Sequence, residues 1–347
     1  MQQRKQPQTK QRKVSSYDIA RHAQVSQTTV SFVLNGRTDM PISATTRDRV
    51  LAAARELGYR PNRSARAIQS GRFGCIALLL STIEMRSVLL SGLREGILDA
   101  LAEQDLHLVL ARLSDAALTD EKYVPSILRE WFADGLLLNY NSEVPEAMVR
   151  LMEENQVPSV WVNLKRERDC VHPDDIGVTR EATERLLSIG HRRIAYVTWS
   201  GVAHYSAADR IVGYEQAMAT ANLAPEVIAS PNGTPTLDEC EEILSRPADR
   251  RPTAIVTYSE GMSNCLLLAA ARLGLSVPRD LSLVCVADRP SNDSGVPIDT
   301  MVLPEYEMGK ASVGMLLAKI ADPSQVMAPV ALPATYEAGA TVAPPRE

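Results

Sequence analysis

Apolar residues recur at helical spacing between Ser15 and Tyr59, and beyond Gly74 they gather into short continuous runs separated by amphipathic stretches. In the first segment Tyr17–His22 reads as a short helix, with Ser15 or Ser16 placed to accept from its first free N–H groups. Ala20 and Ala23 are small enough for a second helix to cross closely. Gln24-Val25-Ser26 then makes a turn, and Ser26 caps a second helix over Gln27–Leu34 that Gly36 ends. Val30, Val33 and Leu34 are predicted to face inward, and Gln27, Thr28, Ser31 and Phe32 outward. A third helix from about Ser43 to Leu57 completes the small core with Val50, Leu51, Ala54 and Leu57. Two short helices on so tight a turn have the geometry that seats the second in a DNA major groove, where glutamine pairs with adenine and threonine meets a thymine methyl. A plain three-helix bundle with a solvated basic face would show the same pattern.

Beyond Gly74 the apolar runs fall at Cys75–Leu80, Leu106–Leu110, Gly135–Leu138, Ser159–Val162, Ile194–Thr198, Ala254–Thr257 and Leu281–Val286. Helix-like stretches lie between them, at Leu89–Gln104, Val124–Phe132, Arg180–Ile189, Arg210–Ala221 and Gly261–Leu273. Strands alternating with helices of this length imply parallel sheets built from βαβ units. Their number and grouping predict two doubly wound lobes, which bind ligands at the carboxyl ends of their strands.

Charge separates the two regions. Residues 1–72 hold 14 Lys/Arg and 4 Asp/Glu, a net of +10, while the remainder holds 23 and 38, a net of −15. A basic head on an acidic body points to a polyanion as the partner of the head and makes the body a poor non-specific DNA binder. Residues 1–13 carry no apolar periodicity and read as a disordered basic tail without the apolar stretch of a secretory signal. No run approaches the ~20 apolar residues of a membrane span, so a cytoplasmic protein is expected. Cys75, Cys170, Cys240, Cys265 and Cys285 are scattered without metal-ligand spacing, which fits thiols in a reducing compartment.

The histidines, His22, His107, His172, His191 and His204, form no metal pattern, and phosphate loops and nucleophile motifs are not found. An enzyme is therefore not expected, and neither is a cofactor. The adjacent acids Asp174 and Asp175 read as a solvated loop.

The segment YDIARHAQVSQTTVSFVLNG, followed by ISATTRDRVLAAARELGYRPNRSARAIQSG, resembles the head and hinge of the lactose/galactose repressor family over residues 15–72. GHRRIAYV, RIVGY and VPRDLSLV extend a looser likeness into the body. The resemblance implies a sequence-specific, effector-responsive transcriptional repressor that binds a palindromic operator as a homodimer, associated with the nucleoid when on DNA. It implies that Gln27, Thr28 and Phe32 read bases, and that Tyr17, Ser26, Thr29, Ser31 and Asn35 hold phosphates or fix docking. Asn62 to Gly71 would form a hinge helix, with Ala65 touching bases and Ile68 wedged into the minor groove at a cost of a few kcal/mol offset by contacts to the kinked duplex. Gln24 stands where the family commonly has a turn glycine, Phe32 where an arginine is common, and Ile68 where a leucine is usual. Gln24 thus implies either a turn that avoids positive φ or strain of about 1 kcal/mol.

For the body the resemblance implies a periplasmic-binding-protein-like fold that binds a small effector, a sugar or other metabolite. The expected domains are a helix-turn-helix over residues 14–60, a hinge helix over 61–72 and an effector-binding and dimerisation body over 73–340. The first lobe is expected to take residues 73–163 and 290–321, and the second 164–289 and 322–340. By position Asn163, Ser206, Arg210 and Ser259 would line the cleft, and Leu89 and Leu90 either face the ligand or join the core of the following helix. Ala287 replaces a customary ligand-gripping aspartate, of which only the neighbour Asp288 is retained. Spacing alone also allows Arg210 to be a surface arginine, while the resemblance implies a structural role for His191 in the GHRR turn and lets His204, in the cleft loop, reach the ligand.

Overall fold

A computed structural model describes residues 14–34, 37, 39–59, 72–83, 86–130, 132–201, 203–231 and 233–346. The tail, the predicted helix stop Gly36, Asn35, and the hinge residues Asn62, Ala65 and Ile68 lie outside the described residues. The chain divides into two compact units, Met1–Phe73 and Gly74–Glu347.

In the head, α1 (Ser16–His22) begins with a reciprocal cap. The Ser15 hydroxyl accepts from the Asp18 N–H at 3.4 Å and the Asp18 carboxylate accepts from the Ser15 N–H at 2.9 Å, which satisfies two N–H groups left open at a helix start. The turn places Gln24 at φ +52°, in the left-handed region, so the strained alternative is the one adopted, at about 1 kcal/mol. Ser26 Oγ accepts from the Thr29 N–H at 3.0 Å to start α2 (Gln27–Leu34), and Ser43 does the same for α3 (Ala44–Glu56). Ile19, Ala20, Ala23, Val30, Val33, Val50, Ala53 and Ala54 close the core. Leu51 was expected inside but is 38% exposed. One residue past Val50 rotates it about 100° off the buried face, whereas Ala53 and Ala54 return to that face.

The body is built on two six-stranded sheets. The first runs in the order β11 (Val330–Leu332), β5 (Cys170–Pro173), β4 (Ser159–Val162), β3 (Gly135–Asn139), β1 (Cys75–Ser81), β2 (His107–Leu113), and all its pairings are parallel. Around it lie α4 (Ser91–Ala102), α5 (Asp115–Leu118), α6 (Ile127–Glu130), α7 (Glu146–Glu154) and α12 (Glu305–Ala321). The second sheet runs β12 (Thr335–Glu337), β10 (Asp299–Val302), β9 (Ser282–Ala287), β8 (Ala254–Thr257), β6 (Ile194–Trp199), β7 (Glu226–Ser230), with β12 alone antiparallel. Its helices are α8 (Asp175–Ser188), α9 (Ser206–Thr220), α10 (Leu237–Leu244) and α11 (Glu260–Arg272).

Each sheet is buried on both faces. Ala77 and Leu79 of β1 join one apolar cluster while Ile76 and Leu78 join another, as the two-residue alternation of a strand requires. The lobe boundaries differ from those expected at three places. Residues 170–173 and 330–332, assigned to the second lobe, are strands of the first sheet, and 299–302, assigned to the first lobe, is a strand of the second. These strands are only three or four residues long, too short to show a periodicity, and their place is set by pairing partners such as Cys170 on Trp161 and Thr300 on Cys285.

Two glycines set the closest helix crossings. A Cβ on Gly96 of α4 would fall 2.0 Å from the Tyr306 carbonyl oxygen of α12, and one on Gly213 of α9 would fall 2.0 Å from that of Ile176 in α8. The second approach matters for function, because it brings the middle of α9, one turn from Arg210, against the start of α8.

Candidate functional site

Between the lobes of the body lies a cavity of about 600 Å³, lined from both sheets by residues at the strand ends and the loops that follow them. This is where an open α/β fold places a ligand. Ile83, Val88, Leu90 and Leu303 supply apolar wall, Trp199 and Tyr258 supply aromatic wall, and Arg86, Asn141, Asn163, Ser206, Arg210 and Glu305 supply the polar groups. The ring centroids of Trp199 and Tyr258 are 5.6 Å apart in a tilted arrangement.

Arg210 anchors the floor. Its side chain is 7% exposed and that of its partner Asp175 is 1% exposed, with Arg210 Nε donating to Asp175 Oδ1 at 2.6 Å. Nη1 donates to the Tyr258 carbonyl at 2.9 Å, and the guanidinium lies 4.5 Å from the Tyr258 ring centroid. Burial works against the charge of Arg210, but the Asp175 carboxylate together with Tyr258 and Tyr196 more than offsets it, and the guanidinium stays protonated. The close crossing at Gly213 is what permits the pair, and the Thr179 hydroxyl fastens it by donating to the Arg210 carbonyl at 2.6 Å. Asp175 was expected on a solvated loop. It is instead the first residue of α8, and Asp174 caps that helix by accepting from the Gly177 N–H at 3.0 Å. An arginine one turn into one helix and an aspartate starting another, 35 residues earlier, give no local sign of pairing.

A second chain of hydrogen bonds crosses the cleft. His204 Nε2 meets the Asn163 carbonyl at 2.9 Å, and Nδ1 meets Ser206 Oγ at 2.7 Å. A carbonyl only accepts, so Nε2 carries the proton and Nδ1 accepts from Ser206. Ser206 Oγ is then left to accept from the Tyr258 hydroxyl, 2.8 Å away. Burial lowers the His204 pKa and keeps this neutral tautomer in place. Asn163 sits at φ +58°, in the left-handed region that asparagine tolerates better than most residues. Lys165 and Asp209 add an ion pair at 2.6 Å between the loop after β4 and α9.

Among the described residues, several buried polar atoms around the cavity have no hydrogen-bond partner: Glu305 Oε2, Asp175 Oδ2, Asn141 Oδ1, Trp199 Nε1 and Arg86 Nε. Such atoms cost free energy unless water or a ligand satisfies them. Glu305, the first residue of α12, is 3% exposed, and burial pushes its pKa up to about 7, helped by Asp288 and Asp175 and opposed by Arg210. Sequence reading missed it, because nothing in LPEYEMG marks a carboxylate that turns inward.

Of the expected cleft residues, Leu90, Asn163, Ser206 and Arg210 line the cavity, as does His204. Leu89 packs instead into the apolar cluster of Ile76, Leu93 and Ile97. Ser259 is outside the lining and serves as the N-cap residue of α11, its carbonyl accepting from the Thr257 hydroxyl. Among the described residues there is no cluster of three or more potential metal ligands, and no helix is long and apolar enough to cross a membrane.

In the head, Gln27 and Thr28 are exposed at the start of α2, beside exposed Ser26, and Tyr17 is 65% exposed. Thr29, Ser31 and Phe32 are half-buried. Gln27 Nε2 donates to Ser16 Oγ at 3.0 Å, which holds its amide over the start of α1. The Arg37 guanidinium lies 5.3 Å from the Phe32 ring centroid and pairs with Asp39. The start of α2 therefore offers hydrogen-bonding side chains in a first turn that holds no acidic residue, and Phe32 carries a cation above its ring.

Residues 16–62 match the model of bacterial regulatory proteins, lacI family, and residues 183–342 match that of a periplasmic binding protein-like domain. The transcriptional regulator DegA of Bacillus subtilis is 30% identical over 307 residues, covering 86% of this chain and 88% of DegA. The transcriptional regulator CelR of Thermobifida fusca is 30% identical over 317 residues, covering 87% of this chain and 90% of CelR. Among solved structures, the lac repressor dimer bound to operator and the anti-inducer ONPF superposes with a TM-score of 0.76 at 22% identity, covering 96% of this chain and all of that one.

Proposed function

The chain belongs to the lacI family of bacterial regulatory proteins, and we propose that it is a cytoplasmic, effector-responsive repressor that binds a two-fold operator as a homodimer. The observation that carries the DNA-binding half is the exposed start of α2, where Gln27 and Thr28 project beside the Ser26 cap. Glutamine pairs with an adenine edge through two hydrogen bonds, and threonine packs against a thymine methyl. Tyr17, Ser26, Thr29, Ser31 and Asn35 hold the backbone, so that Gln27, Thr28 and Phe32 face base edges. Asn62, Ala65 and Ile68 extend the contact into the minor groove, where the apolar Ile68 unstacks the central step.

The sensing half rests on the cavity between the lobes. Its walls come from both sheets, so a small ligand touching both favours one lobe angle over another and shifts the population of two global states. Leu90, Asn163, Ser206 and Arg210 contact that ligand. CelR of Thermobifida fusca and DegA of Bacillus subtilis carry regulatory names and no enzymatic ones, which fits a protein that binds without turnover.

The hinge is tested by Ile68→Gly on operator and on random DNA in parallel. Specific binding is expected to weaken at least tenfold, with little change on random DNA. Equal losses on both would contradict a wedge at the operator centre.

A further inference from the structure

We infer that Glu305 is the specificity-determining contact of the cleft, accepting hydrogen bonds from a ligand that presents donors, hydroxyl or ammonium, to the wall formed by the start of α12. The inference rests on the reading of the cleft as an effector site and names the chemistry that site selects.

The geometry is that of a built site. Glu305 is 3% exposed, borders the cavity, and leaves Oε2 buried with no partner. Its backbone is fixed by its N–H donating to the Leu303 carbonyl at 2.8 Å, while the Leu303 N–H donates to the Ala287 carbonyl at 2.8 Å. Behind it stands Gly92 of α4, where a Cβ would come within 2.9 Å of the Glu305 Cβ. Glu305 thus borders the cavity with α4 packed directly behind its Cβ, which leaves the side chain little freedom to retreat.

Charge settles what it faces. The neighbouring groups are Asp288 beyond β9, Asp175 on α8 and Arg210 on α9, and α4 presents the uncharged Gly92. Arg210 already pairs with Asp175, and Arg86 already pairs with Asp115 and Glu143. Among the described residues, Glu305 thus has no cation of its own in the cavity wall. Of the other orphan atoms on the cavity lining, Asn141 Oδ1 is also an acceptor, while Trp199 Nε1 and Arg86 Nε are donors on other parts of the wall. At Glu305 an anionic group of a ligand would meet repulsion, whereas a donor satisfies an oxygen that otherwise stays buried and unpaired. Binding that requires the carboxylate must also expel its proton, because the free group titrates near 7.

The test uses the full chain and thermal-shift screening followed by calorimetry. One arm holds donor-rich probes: glucose, cellobiose, myo-inositol, glucosamine and spermidine. The other holds anions: glucose 6-phosphate, citrate and pyruvate. The expected result is a ligand from the first arm whose affinity falls about tenfold per pH unit below 7, with Glu305→Gln reducing affinity at pH 8 at least tenfold and removing that pH dependence. Comparing glucose with glucosamine separates hydroxyl from ammonium recognition.

A donor ligand bound equally by Glu305→Gln, or an affinity that rises as the pH falls, overturns the inference. Binding from the anion arm alone overturns it as well, while leaving the cleft an effector site. Binding from neither arm overturns both readings. The pH profile of the unmutated chain keeps the test decisive even where Glu305→Gln fails to fold.

Discussion

The head and the cleft of the body meet their ligands in opposite ways. The head carries a net of +10 over residues 1–72 and offers Gln27 and Thr28 in the open. The cleft lies in a body of net −15 and hides its polar groups, with Arg210 6%, Asp175 1% and Glu305 3% exposed. DNA supplies its own charge density, so a head that reads it needs exposed donors and a positive field, and exposure costs nothing in water. A small ligand supplies few contacts, so the cleft must hold its polar groups dry and in place beforehand. The price is an accumulation of buried charge that only exact pairing keeps tolerable.

The contrast can be broken most forcefully by removing residues 1–72. Specific DNA binding should fall by about 10³-fold or more, to the level of non-specific association or below, while circular dichroism should still report a folded α/β body. Retained operator binding, measured by fluorescence anisotropy, would place DNA reading in the wrong region.

The next largest effect is expected in the cleft. Arg210→Met leaves Asp175 buried without its cation and should destabilise the body by about 3–5 kcal/mol, with Arg210→Met/Asp175→Leu recovering much of that loss. All three tryptophans, Trp131, Trp161 and Trp199, lie beyond residue 73, so urea unfolding followed by tryptophan fluorescence reads the body alone. A loss below about 1 kcal/mol would show that the pair is not a structural keystone. Head function should persist in this variant at low temperature.

Glu305 sharpens the comparison through pH. Its pKa is raised from 4.5 to about 7 in the folded chain. Between those values the unfolded state is ionised and the folded state protonated, so the unfolded state binds fewer protons and stability falls as the pH rises through this window. Glu305→Gln escapes that loss. The variant should gain on the ligand-free parent from pH 4.5 upward, levelling off above pH 7 at no more than about 3 kcal/mol. A parallel pH dependence of the two proteins would refute a buried ionising carboxyl.

The smallest effect, and the most specific, belongs to the head. Gln27→Ala should cost about 1–3 kcal/mol at one symmetric pair of operator positions and relax base preference there. Uniform weakening across all positions would make Gln27 a backbone contact.

What could be read from the sequence divides along the same line. The head's recognition surface is local: the Ser15 and Ser26 caps, the turn at Gln24 and the outward Gln27 and Thr28 all fall within a dozen residues, and helical periodicity orders them. Leu51 misled because periodicity at an apolar position next to Val50 does not tell which of two neighbours turns inward. In the body the strands of continuous apolar character were visible, and Arg210 was picked out through RIVGY. Its partner Asp175 was not, since the pair is made by a helix crossing at Gly213 that no local pattern encodes. The short strands 170–173, 299–302 and 330–332 escaped for the same reason, and with them the true course of the chain between lobes. Glu305 was hidden as the start of a helix, where an acidic residue is ordinarily solvent-facing.

The central claim is that the head reads a two-fold DNA site through α2. In vitro selection from random duplex DNA with the full chain, followed by footprinting of the enriched sequence, tests it most directly. The account predicts a near-palindromic site with two equivalent protected half-sites about the same centre, lost when residues 1–72 are absent. Failure to enrich any sequence, or an enriched site protected on one side only, would contradict it.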